Sequence, residues 1–343
     1  MQKTIFVIDD NDTNLSVAEE ALEEQYRLLT LPSGDKMFTM LERVTPDLIL
    51  LDIEMPEMDG FEALLKLKAT EKYADIPVIF LTSMTDAETE AKGFQLGVID
   101  FITKPFSVPV LINRIKTHLN IDELIRERTS QIQRLKNAIV FSFADFVEKR
   151  DEGTGGHIER TSEYIRILIN AMITRGIHDN DIRNMDIDSL IASARLHDVG
   201  KVSISDVILN KPGKLTDEEF EIMKTHTTEG ETVIETISAR TDDDGFLRNA
   251  KLFAGSHHER WDGKGYPRGL MEEDIPLQGR VMAIVDVYDA LVSERPYKKP
   301  FSEEQAVGII MEEAGKQFDP YISNVFYEVK SEFSTARRRL EGV

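Results

Sequence analysis

Ile5-Phe6-Val7-Ile8-Asp9-Asp10 puts four apolar residues in a row and follows them at once with two carboxylates. A strand of that kind has no polar face, so it must be covered on both sides, as in a parallel sheet flanked by helices. Comparable short runs follow at Arg27–Leu31, Leu48–Leu51, Val78–Leu81 and Phe101-Ile102. Helical patterns alternate with them, near residues 14–25, 35–43, 60–70, 86–96 and 108–118. Five βα units predict a doubly wound, flavodoxin-like α/β domain with a five-stranded parallel sheet over residues 1–118. Ligands of such sheets sit at the carboxyl ends of the strands. There the sequence places Asp9 and Asp10, Asp52, Thr82-Ser83 and Lys104-Pro105. Three carboxylates in one crevice repel each other unless a cation lies between them, and a hard, oxygen-preferring ion such as Mg2+ fits. With Lys104 as a fixed positive charge and Thr82 as a hydroxyl donor, the set can accept a phosphoryl group on a carboxylate.

The chain continues far beyond that unit. Its 343 residues suit two domains and a connector. The formal charge of −21 argues against sequence-independent DNA binding, which needs a basic face to displace counterions. There is no cysteine, hence no disulfide, Fe–S cluster or thiolate metal site, and any metal must be held by His, Asp and Glu. Met1-Gln2-Lys3-Thr4 runs straight into a strand pattern with no signal peptide, and no apolar run reaches the roughly 20 residues of a membrane span. These features predict a cytoplasmic, bacterial protein.

Leu111, Ile115, Leu119, Leu124, Ile132, Leu135 and Ile139 recur at helical spacing, and the only Gly or Pro over residues 107–150 is Pro109 at the start. A long helix is expected, with residues 119–137 as the connector. Its heptads are imperfect, since one register puts His118, Asp122 and Thr129 on the seam. A two-helix homodimer and a single helix lying on its own protein both fit. Residues 138–343 read as all-α. Asp188–His197 forms one helix whose last turn delivers His197-Asp198, and Lys201 falls on the same side if the helix continues. Thr216 caps a helix that carries His226, and Thr241-Asp242-Asp243-Asp244-Gly245 is an acidic loop.

Five of the chain's seven histidines, His157, His197, His226, His257 and His258, join Asp198 and Asp286 in this half. Imidazoles and carboxylates without thiols suit Fe, Mn, Zn or Ni. Seven candidates exceed the needs of one ion, and a carboxylate such as Asp198 can bridge two. Paired metals a few ångströms apart suit phosphodiester hydrolysis by an activated water. Lys201, Arg295 and Lys298 add cations that can meet a phosphate, although surface salt bridging explains the last two equally well. The stretch His257–Pro267 ends in Gly265-Tyr266-Pro267 and holds the only Trp. A flexible aromatic rim can stack a nucleobase, and a tight turn is the simpler alternative.

Residues 1–118 resemble a bacterial response-regulator receiver domain over their whole length. The resemblance implies that Asp52 is the phosphoacceptor and that Asp9, Asp10 and the backbone carbonyl of Glu54 join it around Mg2+. It makes Thr82, Phe101 and Lys104 the switch residues, implies a cis bond before Pro105, and implies a sensor histidine kinase as partner.

Residues 138–330 resemble the HD-GYP phosphodiesterases through HDxGK at 197–201, KPGKLT at 211–216, HHExxDGxGYP at 257–267, the Asp286–Leu291 helix and RPYK at 295–298. That likeness implies hydrolysis of cyclic di-GMP to pGpG or onward to GMP, in an output domain gated by phosphorylation of Asp52. It makes His197, Asp198, His226, His257, His258 and Asp286 metal ligands, with Asp198 bridging and His157 as the upstream His. Lys201, Arg295 and Lys298 become phosphate contacts, with Lys201 also serving the leaving oxygen. Some members hold a third metal with a Glu four residues before the upstream His. Here that position is Gly153, and Glu152 is one residue off, so two metals are expected. The alternatives are a cyclic di-GMP sensor or a protein-docking module acting through the Gly-Tyr-Pro loop, and a phosphohydrolase for another cyclic dinucleotide.

Overall fold

The five apolar runs form the strands β1 (Thr4–Ile8), β2 (Arg27–Leu31), β3 (Leu48–Asp52), β4 (Val78–Thr82) and β5 (Asp100–Thr103) of one parallel sheet in the order β2-β1-β3-β4-β5. This computed structural model describes residues 2–83, 87–150, 156–183, 185–241, 244–294 and 299–342. Between the strands lie α1 (Asp12–Leu22), α2 (Gly34–Leu41), α3 (Gly60–Lys68) and α4 (Ala87–Gln95), and α5 (Val108–Arg150) follows β5. The two-residue period of each strand sorts its side chains onto two covered faces. Phe6, Ile8, Ile49, Leu51, Val78 and Phe80 pack with α2 and α3 through Met37, Leu41, Ala63, Leu64 and Leu67. Ile5, Val7, Leu48, Leu50, Ile79 and Leu81 face α1 and the start of α5 through Leu15, Ala18, Leu22, Leu111, Ile115 and Leu119. Strand order reverses beside β1, so the carboxyl ends of β1 and β3 open onto one crevice.

The expected long helix is α5, 43 unbroken residues. Its apolar residues divide: Leu111, Ile115 and Leu119 are buried, whereas Leu124, Ile132, Leu135 and Ile139 are exposed. The chain separates into two compact units, Met1–Ile132 and Gln133–Val343.

The second unit is helical, as expected: α6 (His157–Arg175), α7 (Asp179–Ile182), α8 (Ile187–Ala194), α9 (Asp206–Leu209), α10 (Asp217–Lys224), α11 (His226–Ser238), α12 (Asp244–Ser256), α13 (Leu277–Val292), α14 (Glu303–Glu312) and α15 (Pro320–Glu341). Its core lies where α6, α13 and α15 meet. Tyr164 stacks on Phe333 at 4.7 Å, and Tyr288 meets Tyr164, Phe326 and Phe333 edge-on. A second cluster holds α8, α11 and α12 together through Ala192, Leu196, Ile234, Phe246, Ala250 and Ala254.

Three expectations need correction. The helix read as Asp188–His197 ends at Ala194, and His197-Asp198 sits in a turn leading to a 3-10 segment, Val199–Ser203. Lys201 therefore meets Asp198 rather than sharing a helix face with His197. The capping box of Thr216 and Glu219 starts α10 as expected, but that helix stops at Lys224, and His226 opens α11. Of the acidic loop, Asp242 and Asp243 lie outside the described residues, and Asp244 already begins α12.

Candidate metal centres

At the sheet crevice, Asp9 and Asp52 are buried and Asp10 is exposed, with one oxygen of each within 4.8 Å of the others. Lys104 Nζ lies 2.7 Å from Asp9 Oδ2 and 2.7 Å from Asp52 Oδ2. Asp9 is fixed further by the backbone N–H of Asn11 and the side-chain amide of Asn14. Burial raises the Asp52 carboxyl above its ordinary range, and Asp9 adds to this, against the opposing pull of Lys104. One lysine thus holds two crowded carboxylates, a charge balance that leaves room for a hard cation. Glu54 donates its N–H weakly to Asp52, 3.4 Å away, and its side chain is bonded to Ser83. Thr82 is buried at the end of β4. Phe101 is buried between Phe80 and Phe94, and the Lys104-Pro105 bond is cis as expected.

The second site is assembled mainly from the ends of helices. His157 begins α6, His197-Asp198 follow α8, His226 begins α11, His257-His258 follow α12, and Asp286 lies within α13. The ligand atoms fall into two groups, His226, His257 and His258 in one, and His157, His197 and Asp286 in the other, each within 4.8 Å. Asp198 stands between them. Its Oδ2 is 3.4 Å from His197 Nε2, while its Oδ1 is 3.5 Å from His226 Nε2 and 3.6 Å from His257 Nε2. Lys201 Nζ lies 2.8 Å from Oδ2.

The imidazole tautomers follow from the backbone. His197 Nδ1 faces the Ala194 carbonyl at 3.0 Å, His226 Nδ1 that of Met223 at 2.7 Å, and His257 Nδ1 that of Phe253 at 2.9 Å. A carbonyl only accepts, so each Nδ1 carries the proton and each neutral ring turns its Nε2 lone pair inward. Burial pushes His226 down to about 4, helped by His257 and Lys201 against Asp198, and it also drives His258 well below the ordinary range. Burial alone would raise Asp198, but Lys201 and His197 together hold it well below the usual carboxylate range. His226 and His258 are thus held neutral and Asp198 ionised, the protonation states that metal binding requires, whereas His157, against the pull of its burial, is raised by Asp289, Asp286 and Glu148.

Two features argue that these residues fit a cation. His197 Nε2 and Asp198 Oδ1 are buried with no hydrogen-bond partner. His226 Nε2 and His257 Nε2 also face each other at 3.3 Å, lone pair to lone pair given the tautomers above. Unpaired acceptors converging in this way are costly in a protein interior unless a cation lies among them.

Sequence reasoning missed the support around this set. Asp289, one helical turn after Asp286, is buried and accepts from His157 Nδ1 at 2.9 Å, which orients the His157 Nε2 inward. Asp289 is gripped in turn by Arg160, whose Nε and Nη2 lie 2.7 and 2.9 Å from its two oxygens. Both pairs, 157/160 and 286/289, have the i, i+3 spacing of one helix face, the only sequence signal they carried. Glu259, also buried, accepts the backbone N–H groups of Arg268 and Leu270 and so fixes the loop after His257-His258. The rim read as flexible is tied down there and by Trp261 N–H to the Gln317 carbonyl. Within it Gly265 sits against the backbone of Glu259 and Arg260, where no side chain fits, and Tyr266, cis to Pro267, lays its ring against His258 at 4.8 Å. Arg295 and Lys298, and Glu152 and Gly153 before His157, lie outside the described residues.

Residues 5–116 match the response regulator receiver domain family, and residues 142–322, more than half of the chain, match the HD domain family. The chain belongs to the response regulators with an HD domain. A Vibrio cholerae protein named a probable cyclic di-GMP phosphodiesterase is 39% identical over 95% of this chain and 77% of its own length. The cyclic di-GMP phosphodiesterase response regulator RpfG of Xanthomonas campestris is 31% identical over 98% of this chain and 92% of its own. A 3'3'-cGAMP-specific phosphodiesterase 2 of V. cholerae is 30% identical over 90% of this chain and 57% of its own. In this response regulator the HD domain implies divalent metal binding, and the histidine and aspartate groups above can provide it. No helix among the described residues is long and apolar enough to cross a membrane.

Proposed function

We propose that this response regulator is an HD-GYP phosphodiesterase that opens cyclic di-GMP to pGpG, and that phosphorylation of Asp52 by a sensor histidine kinase gates it. The observation that carries the hydrolytic reading is Asp198, which offers a separate oxygen to each of two groups of ligand atoms. His157, His197 and Asp286 would hold one ion, His226, His257 and His258 the other, with Asp198 shared. When bound, two divalent ions of Fe, Mn, Zn or Ni supply Lewis acidity at the phosphate and lower the pKa of water.

The protein's own groups do the rest. Lys201, already 2.8 Å from Asp198, donates to a phosphate oxygen. As a water oxygen bonds to phosphorus and yields a proton to solvent, the bond to the ribose 3′ oxygen breaks and Lys201 protonates that oxygen, regaining its own proton from solvent. Asp289 keeps His157 in one tautomer. Tyr266 covers His258 and limits solvent on that side. Arg295 and Lys298 are assigned to phosphate contact by the family motif alone.

The cyclic-di-GMP names of two relatives favour that substrate, and the cGAMP name of the third favours 3'3'-cGAMP as a second reading. Purified protein supplied with Mn2+ or Fe2+ and a panel of cyclic dinucleotides is expected to hydrolyse cyclic di-GMP fastest. Preference for 3'3'-cGAMP would replace the substrate, and binding without turnover would leave a sensor.

In the receiver, an Asp52 oxygen bonds to the phosphorus of the kinase phosphohistidine as the P–N bond breaks and the kinase imidazole leaves, while Lys104 and Thr82 pair with the phosphoryl oxygens. Asp9, Asp10, Asp52 and the Glu54 carbonyl would hold Mg2+, which would supply charge neutralisation there. Lys104 must then share its bond to Asp52 with the new phosphoryl group. Incubation with acetyl phosphate and Mg2+ is expected to label the wild type and to change its hydrolysis rate. Asp52→Asn should take no label, and its rate should not respond to the donor. Labelled Asp52→Asn, or a wild-type rate indifferent to phosphorylation, would remove the gate.

A further inference from the structure

Beyond Tyr266 an aromatic step continues outward that the hydrolytic site does not use. Phe220, on α10, stands 45% exposed with its ring edge-on to Tyr266 at 6.3 Å. No residue of α10 is buried, so Phe220 fills no core. The Phe220 ring therefore keeps a free face in solvent beside Tyr266, within reach of a ligand at the site. Lys224, one turn further on, holds its ammonium 4.9 Å above the Phe220 ring and 5.7 Å above the Tyr266 ring, and pairs with Glu221 at 2.6 Å. Tyr266 in turn lies against His258. The order is thus ligand imidazole, Tyr266, then a corner of two aromatic rings with a cation over both.

We infer that Phe220 and Lys224 form a nucleobase-recognition corner, in which Phe220 stacks the base next to the scissile phosphate and Lys224 reads its edge. This rests on the phosphodiesterase reading above. Aromatic faces stack any base. An ammonium discriminates, because guanine offers the acceptors O6 and N7 on the edge where adenine offers an N–H donor. A guanine entering the corner takes the place of Glu221 as partner of Lys224. The corner therefore selects cyclic dinucleotides that present guanine.

The test uses the full chain loaded with Mn2+ and three substrates: cyclic di-GMP, cyclic di-AMP and the base-free bis(4-nitrophenyl) phosphate. Phe220→Ala is expected to raise KM for cyclic di-GMP about 10- to 100-fold, the effect of losing one stacked base. The kcat/KM ratio of cyclic di-GMP to the base-free diester should fall by a similar factor, and Phe220→Trp should restore it. Lys224→Met, which keeps the stem, should cut the preference for cyclic di-GMP over cyclic di-AMP about tenfold. An unchanged ratio in Phe220→Ala, or an unchanged preference in Lys224→Met, overturns the corner while leaving the phosphodiesterase intact. A wild type that cleaves the base-free diester and no cyclic dinucleotide overturns both.

Discussion

Asp198→Ala is expected to abolish phosphodiester hydrolysis, by at least about a thousandfold, or about 4 kcal/mol of transition-state stabilisation. The reason is positional. Among the described residues Asp198 is the one carboxylate with an oxygen directed to each ligand group, so its loss weakens both ion sites at once and releases Lys201 from its place beside them. The fold should survive. Asp198 lies in a turn, its Oδ1 has no hydrogen-bond partner, and its ion-pair partner Lys201 is partly exposed and can turn to solvent. Anaerobically purified wild type should carry two ions per chain by elemental analysis, and Asp198→Ala fewer, with near-native circular dichroism and melting temperature. Retained turnover by the variant would remove Asp198 from the centre. Three ions in the wild type would mean that a residue outside the two groups completes a further site.

Why the receiver was so legible, and the HD site only partly so, has a physical basis. A parallel strand buried on both faces has no choice but to be apolar throughout, and Thr4–Ile8 and Leu48–Asp52 are buried at every position. The carboxylates that end them are then conspicuous, since nothing else in a run of Ile, Val and Leu titrates. The ligands of the second unit were conspicuous for a different reason: histidine is scarce in this chain, and most of it converges. Their supports were not. Asp289 and Arg160 are 129 residues apart and look like ordinary polar positions until α6 packs on α13 and buries both. The break between α10 and α11 was equally hidden. The periodicity runs through Thr225 unchanged, while the backbone N–H there bonds to the carbonyl of Ile222, three residues back rather than four, and His226 opens a new helix.

The glycine of His197-Asp198-Val199-Gly200-Lys201 was quoted as part of a motif, and packing gives it a reason. The 3-10 segment Val199–Ser203 rests directly on the first turns of α11, backbone against backbone. A Cβ added at Gly200 would fall 1.9 Å from the His226 carbonyl oxygen and 2.4 Å from the Gly230 nitrogen. Neither atom belongs to a side chain that can rotate away, so the two segments must separate. Asp198 and His226 lie on opposite sides of that contact, and their ligand atoms are 3.5 Å apart. Gly200→Ala is therefore expected to cost about 3 kcal/mol, the upper part of the range for overpacking, and to lower the melting temperature. Because misplacement of about 1 Å in a catalytic set can cost roughly a hundredfold, kcat/KM should fall at least that far, with loss of bound metal. Gly230→Ala supplies the control. Its Cβ would meet the Ala254 methyl at 3.1 Å, a contact that a shift of a few tenths of an ångström relieves, so it should melt closer to the wild type and keep more of its metal. Metal content and melting temperature of Gly200→Ala that match the wild type would show that the two segments can part without disturbing the ligands, and the close backbone contact would then not be what sets the Asp198–His226 spacing.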